Sequence, residues 1–310
     1  MGDSSSNICV IKGGTSSERE VSLISGACYA SALRRLGYKV TEIDLTKDVY
    51  SFIEQLRACA PQVVVNALHG TKGEDGCMQG LMSVLGIAYT HSGVLPSSVA
   101  MNKHVTKNIL ESAGLACADG FIIEPNALLK QDPFIRPFVV KPNEEGSSIG
   151  VSIIRKDTDV EAIVKSWAFG DMLVERYIPG RELTVGLMGD KPLAVTEIVP
   201  VGTEFYNYKA KYTTDNMAKH LLPAPIHASA YDNAMDMASR AVKAVGCRGI
   251  SRVDFRYNDT KGEPGDLYIL EVNTQPGATE LSLVPEQAKY LGVSIDRLVD
   301  WMVKQACPNK

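Results

Sequence analysis

No two of the seven cysteines (positions 9, 28, 59, 77, 117, 247 and 307) form a C-x-x-C pair, and their number is odd. That excludes a disulfide framework and the common zinc spacings. It predicts buried, reduced thiols in a reducing compartment, as for Cys9 within Ile8-Cys9-Val10. No apolar run approaches the ~20 residues of a membrane-spanning helix, so no membrane association is expected. Basic runs with interleaved aromatics are missing, and a net charge of −4 gives no reason to expect nucleic acid. The dinucleotide fingerprint G-x-G-x-x-G is absent, although Gly13-Gly14 precedes a helix start. The leader Met1-Gly2-Asp3-Ser4-Ser5-Ser6 lacks the charged and apolar regions of a signal peptide. It formally matches the myristoylation pattern M-G-x-x-x-S but reads as a polar leader, and the expected location is the cytoplasm. Neither an internal repeat nor a low-complexity segment is evident.

What is present is an ordinary globular composition, 45% hydrophobic and 22% charged, over 310 residues, a length that suggests two or three compact units. From residue 7 strand and helix signals alternate. An apolar strand over 7–12 leads to a helix from Ser17, where Ser17-x-x-Glu20 suggests a capping box, ending near Gly37. A strand over 38–44, a helix over 50–59 and a buried strand over 61–68 complete a βαβαβ pattern in a unit spanning 1–93, which predicts an open parallel sheet. His69-Gly70 follows the third strand at its C-terminal end, where ligands sit in such sheets, and the polar loop Gly70-Thr71-Lys72-Gly73-Glu74-Asp75-Gly76 makes a ligand contact plausible. A second unit, 94–178, opens with a helix over 102–113 and carries strands over 137–141 and 149–155. The third, 179–310, holds an irregular stretch over 202–224, whose Gly, Asn, Thr and Pro suit an active-site lid, and helices over 229–245 and 285–306.

The most informative stretches come late: Ser251-Arg252-Val253-Asp254-Phe255 and Leu267-Tyr268-Ile269-Leu270-Glu271-Val272-Asn273. Both read as strands, with the turn formers Asn258, Asp259, Gly262, Pro264 and Gly265 between them. Side chains at i and i+2 of a strand share a face, which pairs Arg252 with Asp254 and Glu271 with Asn273. If the strands are antiparallel neighbours facing the same way, three oxygen ligands and one guanidinium meet over a small patch. So few oxygens cannot cage an ion alone. They suit Mg²⁺ that completes its shell from water and substrate phosphates, so the chain is expected to handle ATP. Either pair alone would equally suit a solvated strand face. The sequel Thr274-Gln275-Pro276-Gly277-Ala278-Thr279, a Pro-Gly turn at a strand's end, favours a site.

Gly146-Ser147-Ser148-Ile149-Gly150 matches G-x-S-x-G, the nucleophile elbow of serine hydrolases. That elbow requires a helix directly after the serine, whereas Val151-Ser152-Ile153-Ile154 is β-branched and strand-like. The segment therefore reads as a hairpin whose glycine- and hydroxyl-rich tip offers backbone N–H groups to phosphates, with Lys141 adding a point charge.

These pieces, in this order, resemble the ATP-grasp carboxylate–amine ligases, and among them the branch that joins two D-alanines. The resemblance runs through essentially the whole chain after residue 6. It rests on Gly13-Gly14-Thr15-Ser16-Ser17-Glu18-Arg19-Glu20-Val21-Ser22, Ala67-Leu68-His69-Gly70 with Gly73-Glu74-Asp75-Gly76, Lys141-Pro142 with Glu145-Gly146-Ser147-Ser148, Ala210-Lys211-Tyr212, Arg252-Val253-Asp254 and Glu271-Val272-Asn273-Thr274-Gln275-Pro276-Gly277. It implies an α/β ATP-grasp fold in which an N-terminal parallel-sheet domain and two further α/β units clasp ATP. The implied reaction phosphorylates the carboxylate of one D-alanine, lets the amine of a second attack the acylphosphate, and supplies peptidoglycan precursor synthesis. D-Alanine–D-lactate ligation, or another carboxylate–amine ligation, is the alternative.

By the same resemblance Asp254, Glu271 and Asn273 hold two Mg²⁺ ions, for which Mn²⁺ can substitute. Lys103, Lys141 and Lys211 hold phosphate oxygens beneath the 147–149 backbone, to which Ser148 belongs. Arg252 and the Gly277 N–H stabilise an oxyanion. Glu18, linked to Ser147 and Tyr212, takes the first substrate's ammonium, and His69 sits near its carboxylate. Ser282 and Leu283 line the second D-alanine's pocket, where Leu281 replaces a residue that is polar in some members. Glu175 and Ile178 contact adenine, Glu182 the ribose, and the implied assembly is a homodimer.

Overall fold

Ile8, Cys9, Val10 and Ile11 are fully buried. A strand apolar on both faces belongs at the centre of a parallel sheet covered by helices. These residues form β1 (Asn7–Gly13) in a computed structural model that describes residues 6–201, 218–279 and 282–308. With β2 (Lys39–Leu45), β3 (Val63–Asn66) and β4 (Ala88–Tyr89), β1 makes a parallel sheet of order β2-β1-β3-β4. Helices α1 (Arg19–Arg35), α2 (Val49–Cys59) and α3 (Cys77–Val84) connect its strands, and α4 (Val94–Met101) and α5 (Lys103–Ser112) lead away from it.

A second sheet contains β5 (Gly120–Ile123), β6 (Phe138–Pro142), β7 (Ser152–Ile154) and β8 (Met172–Arg176), antiparallel in the order β5-β8-β6-β7, with α6 (Val160–Ser166) in the connection to β8. The third sheet has the order β11-β10-β9-β12-β13 and is antiparallel throughout: β9 (Arg181–Met188), β10 (Lys191–Val199), β11 (Lys219–Leu221), β12 (Ile250–Asn258) and β13 (Asp266–Asn273). Among the described residues three further helices follow: α7 (Ala228–Val245), α8 (Leu283–Tyr290) and α9 (Ile295–Gln305).

Four hydrophobic cores form among the described residues, and two of them tie distant parts of the chain together. One packs Val185, Val253, Phe255 and Ile269 of the third sheet against Ala238 and Ala241 of α7, and also takes in Leu110, Leu115 and Cys117 from α5 and the segment after it. The other sets Leu298, Val299 and Met302 of α9 against Ile8, Val10 and Tyr29. The last helix thus returns to the first sheet. Among the described residues, no helix is long and apolar enough to cross a membrane.

Several local features depart from expectation. Helix α1 starts at Arg19, and its N-cap Glu18 makes no side-chain capping bond. The Ser17–Glu20 box does not form because Ser16 supplies the hydroxyl, accepting the Glu18 N–H at 3.2 Å and donating to the His69 carbonyl at 2.6 Å. The single helix expected over 285–306 is two helices, parted where Gly292 adopts φ +78°, a conformation glycine reaches without strain. The stretch 202–224 falls outside the described residues over 202–217, and its described end carries β11 rather than irregular chain. All seven cysteines are free, but only Cys9 and Cys117 are buried; Cys77 is exposed at the start of α3, whose next two residues, Met78 and Gln79, turn inward.

Candidate active site

Strands β12 and β13 pair with Arg252 opposite Asn273 and Asp254 opposite Glu271. On β12 the alternation is clean, Val253 and Phe255 being fully buried beneath while Arg252 and Asp254 face away from them. On β13 strict alternation would send Glu271 into the core with Leu267 and Ile269. The register shifts instead between Asp254 and Phe255, and a bulge places both Leu270 and Glu271 on the wall of a cleft. Arg252 clamps Asp254 with bonds of 2.8 and 2.7 Å and reaches Glu271 at 3.7 Å. The Thr184 hydroxyl donates to Asp254 at 2.6 Å, and the Asn273 amide oxygen accepts the Gln275 N–H at 2.8 Å.

The facing wall has the opposite polarity. On the second sheet Val139 of β6 is opposite Glu175 of β8, so Glu175 shares the cleft face with Lys141, two residues along β6. One Glu175 oxygen takes Lys107 at 2.5 Å and the other Lys141 at 2.6 Å, all three side chains being almost completely buried. Burial alone would push the Glu175 carboxyl up, but the fields and hydrogen bonds of Lys141 and Lys107 overcome it and hold it below its ordinary range. Lys103, one helical turn before Lys107 on α5, donates to the Glu145 carbonyl at 2.5 Å. Burial draws its ammonium below the usual lysine range, with Glu271 opposing the shift.

Lys103, Lys141, Ser148, Glu175, Ile178, Glu182, Asp254 and Glu271 all line this one cleft. Beside it, the Ser147 hydroxyl donates to Glu18, joining the hairpin tip between β6 and β7 to the start of α1. Ser147 and Ser148 both have left-handed φ values, +52° and +58°, sparsely populated for such residues and concentrated where a tight tip must fold over a ligand. His69 is 7% exposed and bonds to the Ser25 hydroxyl at 3.3 Å, and that hydroxyl in turn accepts the Ala278 N–H at 3.5 Å, next to Gly277. Ser282, the N-cap of α8, accepts the Thr279 N–H at 3.0 Å, and a side chain on Gly277 would stand 3.1 Å from its hydroxyl. Leu283 opens α8 and is buried. Lys211, Tyr212 and Leu281 lie outside the described residues.

The donor set fits the expected Mg²⁺. Two carboxylates and one amide are hard oxygen ligands gathered on one patch, and among the described residues no cluster of three or more His, Cys, Asp or Glu could hold a metal unaided. Such a patch needs phosphate oxygens to complete a shell. Sequence reasoning missed Lys107, although its i+4 spacing from Lys103 put both on one helix face. It also missed Thr184 and Gln275. The Gln275 side chain donates to the Leu68 carbonyl and accepts from Asn66 at 3.1 Å, tying the end of β3 to the turn that carries Gly277.

Comparison with known proteins identifies the family and the fold. The family described as D-ala D-ala ligase C-terminus matches residues 109–304. A D-alanine–D-alanine ligase of Gluconobacter oxydans is 49% identical over 302 residues, 96% of this chain and 98% of its own length. One from Granulibacter bethesdensis is 50% identical over 301 residues, covering 96% and 97%. Among solved structures, a D-alanine–D-alanine ligase from Bacillus anthracis complexed with ATP superposes with a TM-score of 0.79 at 28% identity, over 97% of each chain. The VanG D-Ala:D-Ser ligase of Enterococcus faecalis gives 0.80 at 25% identity, over 97% of this chain and 99% of its own.

Proposed function

The chain belongs to the D-alanine–D-alanine ligase family, and we infer that it is an ATP-dependent ligase joining two D-alanines for peptidoglycan precursor synthesis. The observation that carries the reading is the register of β12 and β13, which sets Asp254 opposite Glu271 across a cleft from Lys103 and Lys141. ATP lies between the two walls, its base against Glu175 and Ile178, its ribose beside Glu182, and its phosphates between Lys103, Lys141 and the backbone at Ser148. Asp254, Glu271 and Asn273 would hold Mg²⁺ or Mn²⁺, which when bound neutralises phosphate charge.

Glu18, oriented by Ser147, receives the ammonium of the first D-alanine, with His69 toward its carboxylate. That carboxylate attacks the γ-phosphate of ATP, forming an acylphosphate and releasing ADP. The amine of the second D-alanine, seated by Ser282 and Leu283, then attacks the acyl carbon. Arg252 and the Gly277 N–H stabilise the oxyanion of the tetrahedral intermediate, which collapses with loss of phosphate. The roles of Lys211 and Tyr212 rest on the resemblance alone. A cytoplasmic homodimer completes the proposal, free thiols being what a reducing compartment maintains.

The test is phosphate release from ATP with D-alanine, L-alanine, D-lactate or D-serine, the last because of the likeness to a D-Ala:D-Ser ligase. Release with D-alanine alone, with D-alanyl-D-alanine as product, is expected. Equal turnover with L-alanine would overturn the assignment. Preferential incorporation of D-serine or D-lactate beside D-alanine would favour a ligase of different second-substrate choice.

A further inference from the structure

Lys107 lies behind the cleft rather than in its lining. It is 3% exposed, and its ammonium donates to the Ala118 carbonyl and to one oxygen of Glu175. The approach is made possible by Gly120, opposite Glu175 on β5: a Cβ there would stand 2.8 Å from Glu175 Cγ and 3.1 Å from the Lys107 ammonium. The other Glu175 oxygen is held by Lys141 at 2.6 Å. Each oxygen thus has one lysine and one lone pair to spare, and a carboxylate held this way only accepts hydrogen bonds.

We propose that Lys107 is a positioning residue that sets the selectivity of the cleft for adenine, by holding Glu175 with a free acceptor aimed at a C6 amino group. The proposal rests on the reading of the cleft as the ATP site. Adenine presents an N–H donor at C6, whereas hypoxanthine and guanine present a carbonyl, which an acceptor-only carboxylate repels. Without Lys107 nothing holds the first oxygen, and the carboxylate turns both oxygens onto Lys141. The C6 amino group then loses its acceptor, while the phosphates keep Lys103 and the hairpin tip. Adenine binding weakens and hypoxanthine is no longer specifically refused.

The experiment compares kcat/KM for ATP and for inosine triphosphate, with D-alanine saturating, in the parent, Lys107→Met, Lys107→Arg and Lys141→Met. Lys107→Met should lower the ATP-to-ITP ratio by at least about tenfold, the worth of a hydrogen bond to a charged group. The loss should fall on KM for ATP, with kcat and KM for D-alanine little changed. Lys107→Arg, which keeps a cationic donor, should restore most of the ratio. If Lys107→Met does not fold, Lys107→Gln, a neutral donor to the same Ala118 carbonyl, reads the same ratio. An unchanged ratio, including one in which KM rises equally for both nucleotides, overturns the proposal. Lys141→Met separates this failure from the broader one: it should raise KM for both nucleotides, and if it moves neither, the cleft is not the nucleotide site.

Discussion

The two walls of the cleft carry mirror-image charge. On the third sheet one cation, Arg252, sits between two carboxylates, Asp254 and Glu271; on the second, one carboxylate, Glu175, sits between two cations, Lys107 and Lys141. They differ in exposure. Glu271 is 28% exposed and Arg252 13%, whereas Lys107 and Glu175 are each 4% exposed at the side chain. The open acidic wall can exchange its internal pairing for a bound cation. The sealed basic wall cannot, since parting its members would leave a charge in low dielectric. One wall is built to change partners and the other to keep them.

The largest effect that tests this contrast is on stability. Glu175→Gln leaves two buried lysines without their counter-charge, and removing one partner of a buried pair destabilises by about 3–5 kcal/mol. Because the folded carboxyl lies below its ordinary value of 4.5, its contribution is complete above that value and is lost as pH falls through the lower, folded one. The gap between parent and variant in urea midpoint should therefore be widest at neutral pH and narrow below 4.5. A gap that stays constant into acid would show that the pairing does not hold this wall.

Glu271→Gln should act on rate instead. It removes a charge from the open wall, where losing one transition-state electrostatic contact lowers kcat by about 10²–10³. The folding midpoint should move by less than about 1 kcal/mol, as for a partly exposed group. A stability loss as large as that of Glu175→Gln would erase the distinction between the walls. Ser147→Ala comes next: losing the bond to Glu18 should raise KM for the first D-alanine about tenfold, and initial rates at varied D-alanine read it directly.

The acidic wall was legible in the sequence because its pairs are local. Arg252 with Asp254 and Glu271 with Asn273 need only the two-residue period of a strand. The bulge at Leu270 and Glu271 was not legible, since nothing in the order of side chains shows where a ladder slips. The basic wall was legible only in part. Lys141 stood out beside the hairpin, but Lys107 meets Glu175 across 68 residues and a glycine gap on a third strand. Strands β8 and β9, which complete the cleft, were not read, and neither was β10, although Gly189-Asp190 between two apolar runs signalled the turn from β9 to β10. The parallel first sheet was legible from its doubly apolar strands, while the return of α9 onto it depends on contacts no local pattern encodes.

Glu182→Gln should give the smallest effect, and it sharpens the comparison because Glu182 belongs to neither charge cluster. It lies on β9 at the cleft wall, opposite Ile198 on one side and Arg256 on the other. Arg256 donates to the Ile178 carbonyl at 3.1 Å and the Gly180 carbonyl at 2.6 Å, and so secures the turn after β8. If Glu182 accepts one ribose hydroxyl, its replacement by an amide keeps an acceptor and loses only the charge. A single hydrogen bond of that kind is worth about 0.5–1.5 kcal/mol, so KM for ATP should rise a few-fold with kcat unchanged. With a 2′,3′-dideoxy nucleotide, parent and variant should converge, since neither has a hydroxyl to hold. A fall in kcat comparable to that of Glu271→Gln would move Glu182 into the acidic wall and make it a third carboxylate of that site.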